Sequence, residues 1–141
     1  MNRLKLQTLL KVWLLLGGLL AALTACAADE TAGSAPQTIM LPPEGGQVDA
    51  RPGDFLELTL EANPSTGYAW ELAPMDAEVL ALDGEPVSKP ESDLIGAPVS
   101  QTFRFKAAGP GQVTLSMSYR RPWEEGVEPV KTYRAEITVQ K

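Results

Sequence analysis

From Gln37 to the C-terminus the apolar residues of this chain recur at every second position, a period that fits half-buried β-strands and is incompatible with an amphipathic helix. Leu56, Leu58 and Leu60 alternate with Glu57, Thr59 and Glu61. Phe103 and Phe105 alternate with Thr102, Arg104 and Lys106, and Val113, Leu115, Met117 and Tyr119 with Thr114, Ser116 and Ser118. The last run sets Tyr133, Ala135, Ile137 and Val139 against Thr132, Arg134, Glu136 and Thr138. Residues after 36 show no convincing helical pattern. Several short strands of this kind, each with one apolar face to bury, predict an all-β fold: a two-sheet sandwich of immunoglobulin-like kind, an architecture of roughly 100 residues.

Weaker signals complete the tracing. Residues 38–41 are expected as an edge strand that stops at Pro42 and Pro43, whose missing amides would interrupt a ladder. Residues 54–62 form the next strand, and 68–72, with Trp70 in the core, its expected partner. Between Glu71 and Ser100 one strand is expected: 78–82 reads as extended, Asp83-Gly84-Glu85-Pro86 as a turn, and a long loop then passes through Leu94-Ile95-Gly96-Ala97-Pro98. Gly109-Pro110-Gly111 is a turn. If the chain reverses direction at each connection, the loops at 63–67, about 88–99 and 120–130 all fall at one end of the sandwich.

The first 26 residues differ in kind. Arg3, Lys5 and Lys11 precede or open an apolar run over 12–23 that contains Gly17 and Gly18 and ends in Thr24, Ala25 and Cys26. The run is short and its positive flank lies only on the N-terminal side, which reads as a secretory signal and not as a membrane span. Leu23-Thr24-Ala25-Cys26 resembles the lipobox of bacterial lipoproteins. That resemblance implies removal of residues 1–25, acylation of Cys26 and a place in the bacterial cell envelope, at the outer membrane or a periplasmic face. The alternative is an ordinary signal peptide cut nearby. Residues 26–36, small, polar and aperiodic, read as a flexible tether to a folded part spanning 37–141. Cys26 is the chain's single cysteine, so no intramolecular disulfide can form and the exported fold rests on its core.

Charge and composition exclude several functions. Three of the twelve basic residues precede residue 26, leaving nine against eighteen acids and a formal charge of −9. A surface of that sign repels phosphate backbones, so no nucleic-acid partner is expected. The chain has no histidine, the commonest general base and metal ligand. The close carboxylates near loops, Glu124 with Glu125 and Asp76 with Glu78, have no accompanying base or metal cluster and read as solvated acids. Neither an enzyme nor a metal or cofactor site is expected.

Two loop sequences stand out against this background. In Asn63-Pro64-Ser65-Thr66-Gly67-Tyr68-Ala69-Trp70 the asparagine can bond nearby backbone, the proline fixes φ for the second position of a type I turn, and Gly67 allows a positive φ. The result is a tight loop whose tip offers the Ser65 and Thr66 hydroxyls and free main-chain groups, which suits docking; a plain turn would carry the same residues. Farther on, Arg121-Pro122-Trp123 places a tryptophan beside an arginine past the last core-facing position. That composition is typical of an interface hot spot, although the indole could equally fold back as a lid over the sandwich end.

Asn63-Pro64-Ser65-Thr66-Gly67-Tyr68 followed by Arg121-Pro122-Trp123, in a small β domain, resembles the chagasin family of cysteine peptidase inhibitors over about residues 37–141. The resemblance implies an immunoglobulin-like sandwich whose three neighbouring loops enter the active-site cleft of papain-like peptidases. It implies that Pro64, Ser65, Thr66 and Gly67 approach the target's catalytic cysteine and histidine, and that Trp123 stacks on aromatic groups of the primed side. The family's second loop is glycine-rich; here Gly96 fits that pattern and Ala97-Pro98-Val99 departs from it. Inhibition would then be reversible and competitive. The rival reading is a non-inhibitory envelope lipoprotein that docks another protein through a sheet edge.

Overall fold

A computed structural model describes residues 35–141. Cys26, the signal segment and most of the tether lie outside the described residues. The described residues form nine strands: β1 (Thr38–Met40), β2 (Gly46–Ala50), β3 (Phe55–Ala62), β4 (Ala69–Leu72), β5 (Leu80–Leu82), β6 (Val87–Pro90), β7 (Val99–Ala107), β8 (Gly111–Arg120) and β9 (Lys131–Val139). They make two sheets, one in the order β1-β3-β7-β5 with β6 also paired to β7, the other in the order β2-β9-β8-β4. The apolar alternation has the consequence foreseen for it. Leu56, Leu58, Phe105, Leu80, Leu115 and Ile137 are fully buried between the sheets, while the intervening Thr and charged residues face outward.

The structure corrects the tracing in four places. The strand after the first loop, β4, does not pair with β3: β3 lies between β1 and β7, and β4 pairs with β8 in the opposite sheet. The loop at 63–68 therefore crosses from one sheet to the other instead of closing a hairpin. β2 was not foreseen, because in Gly46-Gln47-Val48-Asp49-Ala50 two small apolar residues give too faint an alternation. It pairs in parallel with β9, and Gly45 makes the crossing possible: it has φ 82°, and a Cβ there would run into the Arg134 carbonyl. The single strand expected between 71 and 100 is two pieces, β5 and β6, both antiparallel to β7. Four residues, 83–86, face only Phe103 and Arg104 between the two registers, so the chain bulges outward at the Asp83–Pro86 turn and then rejoins the same neighbour. Finally, Val99 belongs to β7, opposite Ala62, so the second loop ends at Pro98. Trp70 is half-buried and packs against the core's margin.

Because β5 and β6 run in the same direction, they count as one strand in the alternation of chain direction. The three loops accordingly share an end. The chain enters the domain at the other end, where the buried Asp54 carboxylate accepts the main-chain amides of Gln37 (3.1 Å) and Arg51 (2.9 Å) at the foot of β3. Burial alone would raise its pKa, but these amide bonds together with the Gln37 side chain outweigh it and hold the carboxyl below its ordinary value. The stability this contributes is present at neutral pH and is lost as pH falls through the lowered pKa.

Tyr133, on β9, is buried with its hydroxyl unpartnered among the described residues, and burial, aided by the negative charge of Glu44, pushes its pKa up to about 12. Since the unfolded chain loses this proton near pH 10 and the folded one keeps it, stability falls as pH rises from about 10 to about 12. Tyr133→Phe removes a hydroxyl that bonds no described protein atom; thermal melts at pH 7 should show an unchanged or higher midpoint, and the alkaline decline should be shallower than in the parent.

Candidate functional site

The first loop is stiff for reasons visible in its bonds. Pro64–Thr66 form a single 3-10 turn, in which the Thr66 amide donates to the Asn63 carbonyl (3.1 Å) and the Gly67 amide to the Pro64 carbonyl (3.0 Å). Gly67 then takes φ 80°, where a side chain would be strained. The two hydroxyls turn inward, against the expectation of free donors at the tip: Ser65 Oγ donates to Asn63 Oδ1 (2.5 Å) and Thr66 Oγ1 to the Asn63 carbonyl (2.6 Å). Pro64, Ser65 and Thr66 are nevertheless exposed, so what the tip presents is a fixed shape. The Asn63 side chain does not cap its own turn. Its Nδ2 reaches across to donate to the Gly96 carbonyl of the second loop (3.3 Å).

The base of this loop is held by a residue that the sequence marked only as core. Tyr119, near the end of β8, is buried, and its hydroxyl accepts the Asn63 main-chain amide at 2.7 Å. Its ring stacks on Tyr68 (centroids 5.4 Å apart) and lies against Trp70 (5.0 Å). Trp70 Nε1 in turn donates to the Glu61 carbonyl at 3.1 Å. A tyrosine closing an otherwise apolar alternation was the available signal, because a buried phenol needs a polar partner.

On the other flank, the third loop leans on the first. Arg121 Nε donates to the Thr66 carbonyl (3.1 Å), its guanidinium lies 4.5 Å over the Tyr68 ring, and Nη1 bonds Glu124 Oε1 at 3.1 Å. Glu124 is thus an ion-pair partner and not the free acid expected. Trp123 is 67% exposed, so it is no lid over the core. The rim of its indole rests on Gly67, where a Cβ would stand 2.8 Å from Cζ2 and closer still to Cη2. Pro122 is exposed beside it.

The second loop completes the row. Gly96 has φ 83° and sits near Ser65, so that a Cβ there would lie 3.8 Å from the serine oxygen. Ala97 and Pro98 close the loop, the Ala97 amide donating to the Leu94 carbonyl and the Pro98 carbonyl accepting from Glu91. Leu94 and Ile95 project into solvent, Ile95 without any cover. Two adjacent aliphatic residues in a polar stretch were the sequence signal for this apolar tip. All ten expected contact residues (Asn63, Pro64, Ser65, Thr66, Gly67, Tyr68, Gly96, Arg121, Pro122 and Trp123) therefore gather at one end, with the first loop in the middle. Tyr68 and Asn63, half-buried, support the surface more than they form it.

A family profile described as chagasin family peptidase inhibitor I42 matches residues 49–137. Amoebiasin-2 of Entamoeba histolytica is 32% identical over 88 residues, covering 62% of this chain and 72% of the relative. Chagasin of Trypanosoma cruzi is 26% identical over 83 residues, or 56% of this chain and 76% of the relative. The crystal structure of the cysteine protease inhibitor EhICP2 from Entamoeba histolytica superposes with a TM-score of 0.66 at 26% identity, covering 74% of this chain and 96% of that one.

The Tyr119 latch makes a measurable difference to stability. Tyr119→Phe keeps the stacked ring but leaves the Asn63 amide without its partner, which should cost about 1–3 kcal/mol in chemical denaturation. Tyr133→Phe, the same chemical change in the same core, should cost nothing.

Proposed function

Because the chain belongs to the chagasin family of peptidase inhibitors, we propose that it blocks papain-like cysteine peptidases reversibly and competitively by lodging its three aligned loops in the active-site cleft. Members of that family inhibit peptidases and are not themselves enzymes. The observation that carries the reading is the row of loops itself: Gly96, Ser65 and Trp123 stand side by side, tied through Asn63, Arg121 and Gly67. Proline, a 3-10 turn and inward hydroxyl bonds fix the central loop before any partner arrives, which removes much of the ordering cost of binding. An exposed indole on one flank and the Leu94–Ile95 tip on the other supply apolar area that gains by leaving water. An interface of about 1,600 Å² in total built on such anchors is sufficient for nanomolar affinity without a covalent step.

The same reading extends to the anchor. Lipidation of Cys26 would hold the domain by a tether that joins it beside Gln37, at the foot of β3, while the first loop begins beyond the last residue of that strand. Eight strand residues separate the two by roughly 25 Å, so a lipid tether would attach at the end of the folded domain opposite the loops and leave them unobstructed.

Added to papain or a cathepsin hydrolysing a small peptide substrate, the purified protein should raise the apparent KM without changing kcat. With no histidine in the chain, its own contribution should stay level from pH 5 to 8. Trp123→Ala should weaken inhibition by about 30-fold while the melting temperature stays close to that of the parent. Unchanged hydrolysis at micromolar protein would favour a docking module instead.

A further inference from the structure

Arg121 stands inside the row of loops, yet two of its three nitrogens and one face of its guanidinium are engaged by the chain that carries it. Nε is committed to the Thr66 carbonyl, Nη1 to Glu124, and one face of the guanidinium covers Tyr68. The neighbouring Arg120 adds a second tie, its Nη2 donating to the Glu124 carbonyl at 3.3 Å. The Glu124 amide closes the turn by donating to the Arg121 carbonyl. Glu124 is therefore held by both arginines and in turn fixes the direction of the Arg121 fork.

The elements joined in this way belong to different connections. The first loop crosses between the sheets, whereas the third links β8 to β9 within one sheet. Pairing of Ala69 with Arg120 sets the spacing of the two loops at their feet; beyond it the tie between the tips is a planar, charged fork that bonds one tip and stacks on its base. Trp123 follows two residues later, and its seat on Gly67 depends on that spacing.

Resting on the inhibitory reading above, we infer that Arg121 is a positioning residue: with Glu124 it locks the third loop against the first so that Trp123 and the 63–67 tip meet the peptidase as one preassembled surface. It does not act by bonding the peptidase. A protein whose loops move independently is competent for only part of the time, and its apparent affinity falls by that fraction. The loss then appears in association, because once the complex has formed the peptidase holds the loops itself. Loss of a direct contact would instead accelerate dissociation.

The test measures association and dissociation rates with papain for the full-length protein and for Arg121→Met, Arg121→Lys, Glu124→Gln and the double variant Arg121→Met/Glu124→Gln. Arg121→Met should slow association about 10-fold with little change in dissociation, and Arg121→Lys, which keeps the charge but loses the flat fork, should move the same way. Glu124→Gln should slow association a few-fold, and the double variant should be no worse than Arg121→Met alone, as expected for residues acting as a unit. Independently of any peptidase, amide hydrogen exchange across 63–68 should quicken in Arg121→Met while exchange in β3 and β8 is unchanged. Faster dissociation at an unchanged association rate, tighter inhibition by Glu124→Gln, or undisturbed exchange across 63–68 would each overturn the assignment. If the parent inhibits no papain-like peptidase the functional reading fails on its own, and the exchange measurement still decides whether Arg121 couples the loops.

Discussion

The Tyr119 hydroxyl, accepting one main-chain amide from Asn63, is the point at which the core of this protein dictates the shape of its loops. The ring belongs to the buried face of β8, in line with Val113, Leu115 and Met117, so its position is set by sandwich packing. Its oxygen lies where the chain leaves β3 and begins to cross to the other sheet. Everything distal to that bond is arranged from it: the 3-10 turn starts at the same asparagine, and the asparagine side chain reaches the second loop. Tyr68, stacked on Tyr119, carries the guanidinium that ties in the third loop. A buried polar group with a satisfied partner specifies one arrangement where an apolar residue of equal size would tolerate several.

This dependence explains how much of the structure could be read from the chain. Alternation reported the burial of Leu56, Leu58, Phe105, Leu115 and Ile137 because each strand exchanges one face with solvent, and period two encodes only that. It did not encode which strands are neighbours. The pairing of β4 with β8 and of β2 with β9 depends on how the chain crosses between sheets, a long-range choice with no local signature beyond the positive φ of Gly45. The position of the loops was recoverable because it rests on direction alone, and direction survives an error in counting strands when two consecutive pieces, β5 and β6, run the same way along β7.

The site shows the same division. The residue types at 63–67 and 121–123 announced tight, exposed loops; Pro64–Thr66 form a 3-10 turn, and Pro64, Ser65, Thr66, Pro122 and Trp123 are exposed. What the types could not announce was the direction of their hydrogen bonds. Ser65 and Thr66 looked like donors to a partner and serve instead to close their own turn. Glu124 looked solvated and is the counter-ion of Arg121. In both cases the sequence gives a list of groups able to bond outward or inward, and only the local fold decides between them.

The geometry of the row follows from the sandwich. The second loop joins β6 to β7 in one sheet, the third joins β8 to β9 in the other, and the first spans the gap between the sheets. Packed sheets lie about 10 Å apart, so three tips set across that gap form a narrow ridge that is one loop thick and about as wide as the sandwich. A ridge of that form fits a cleft better than it fits a flat surface or an isolated pocket. Ties on both flanks, Asn63 to Gly96 and Arg121 to Thr66, brace the middle tip from both sides. Inhibition by such a ridge needs no reactive group, which is consistent with a chain that has no histidine and whose single cysteine lies at residue 26, before the folded domain.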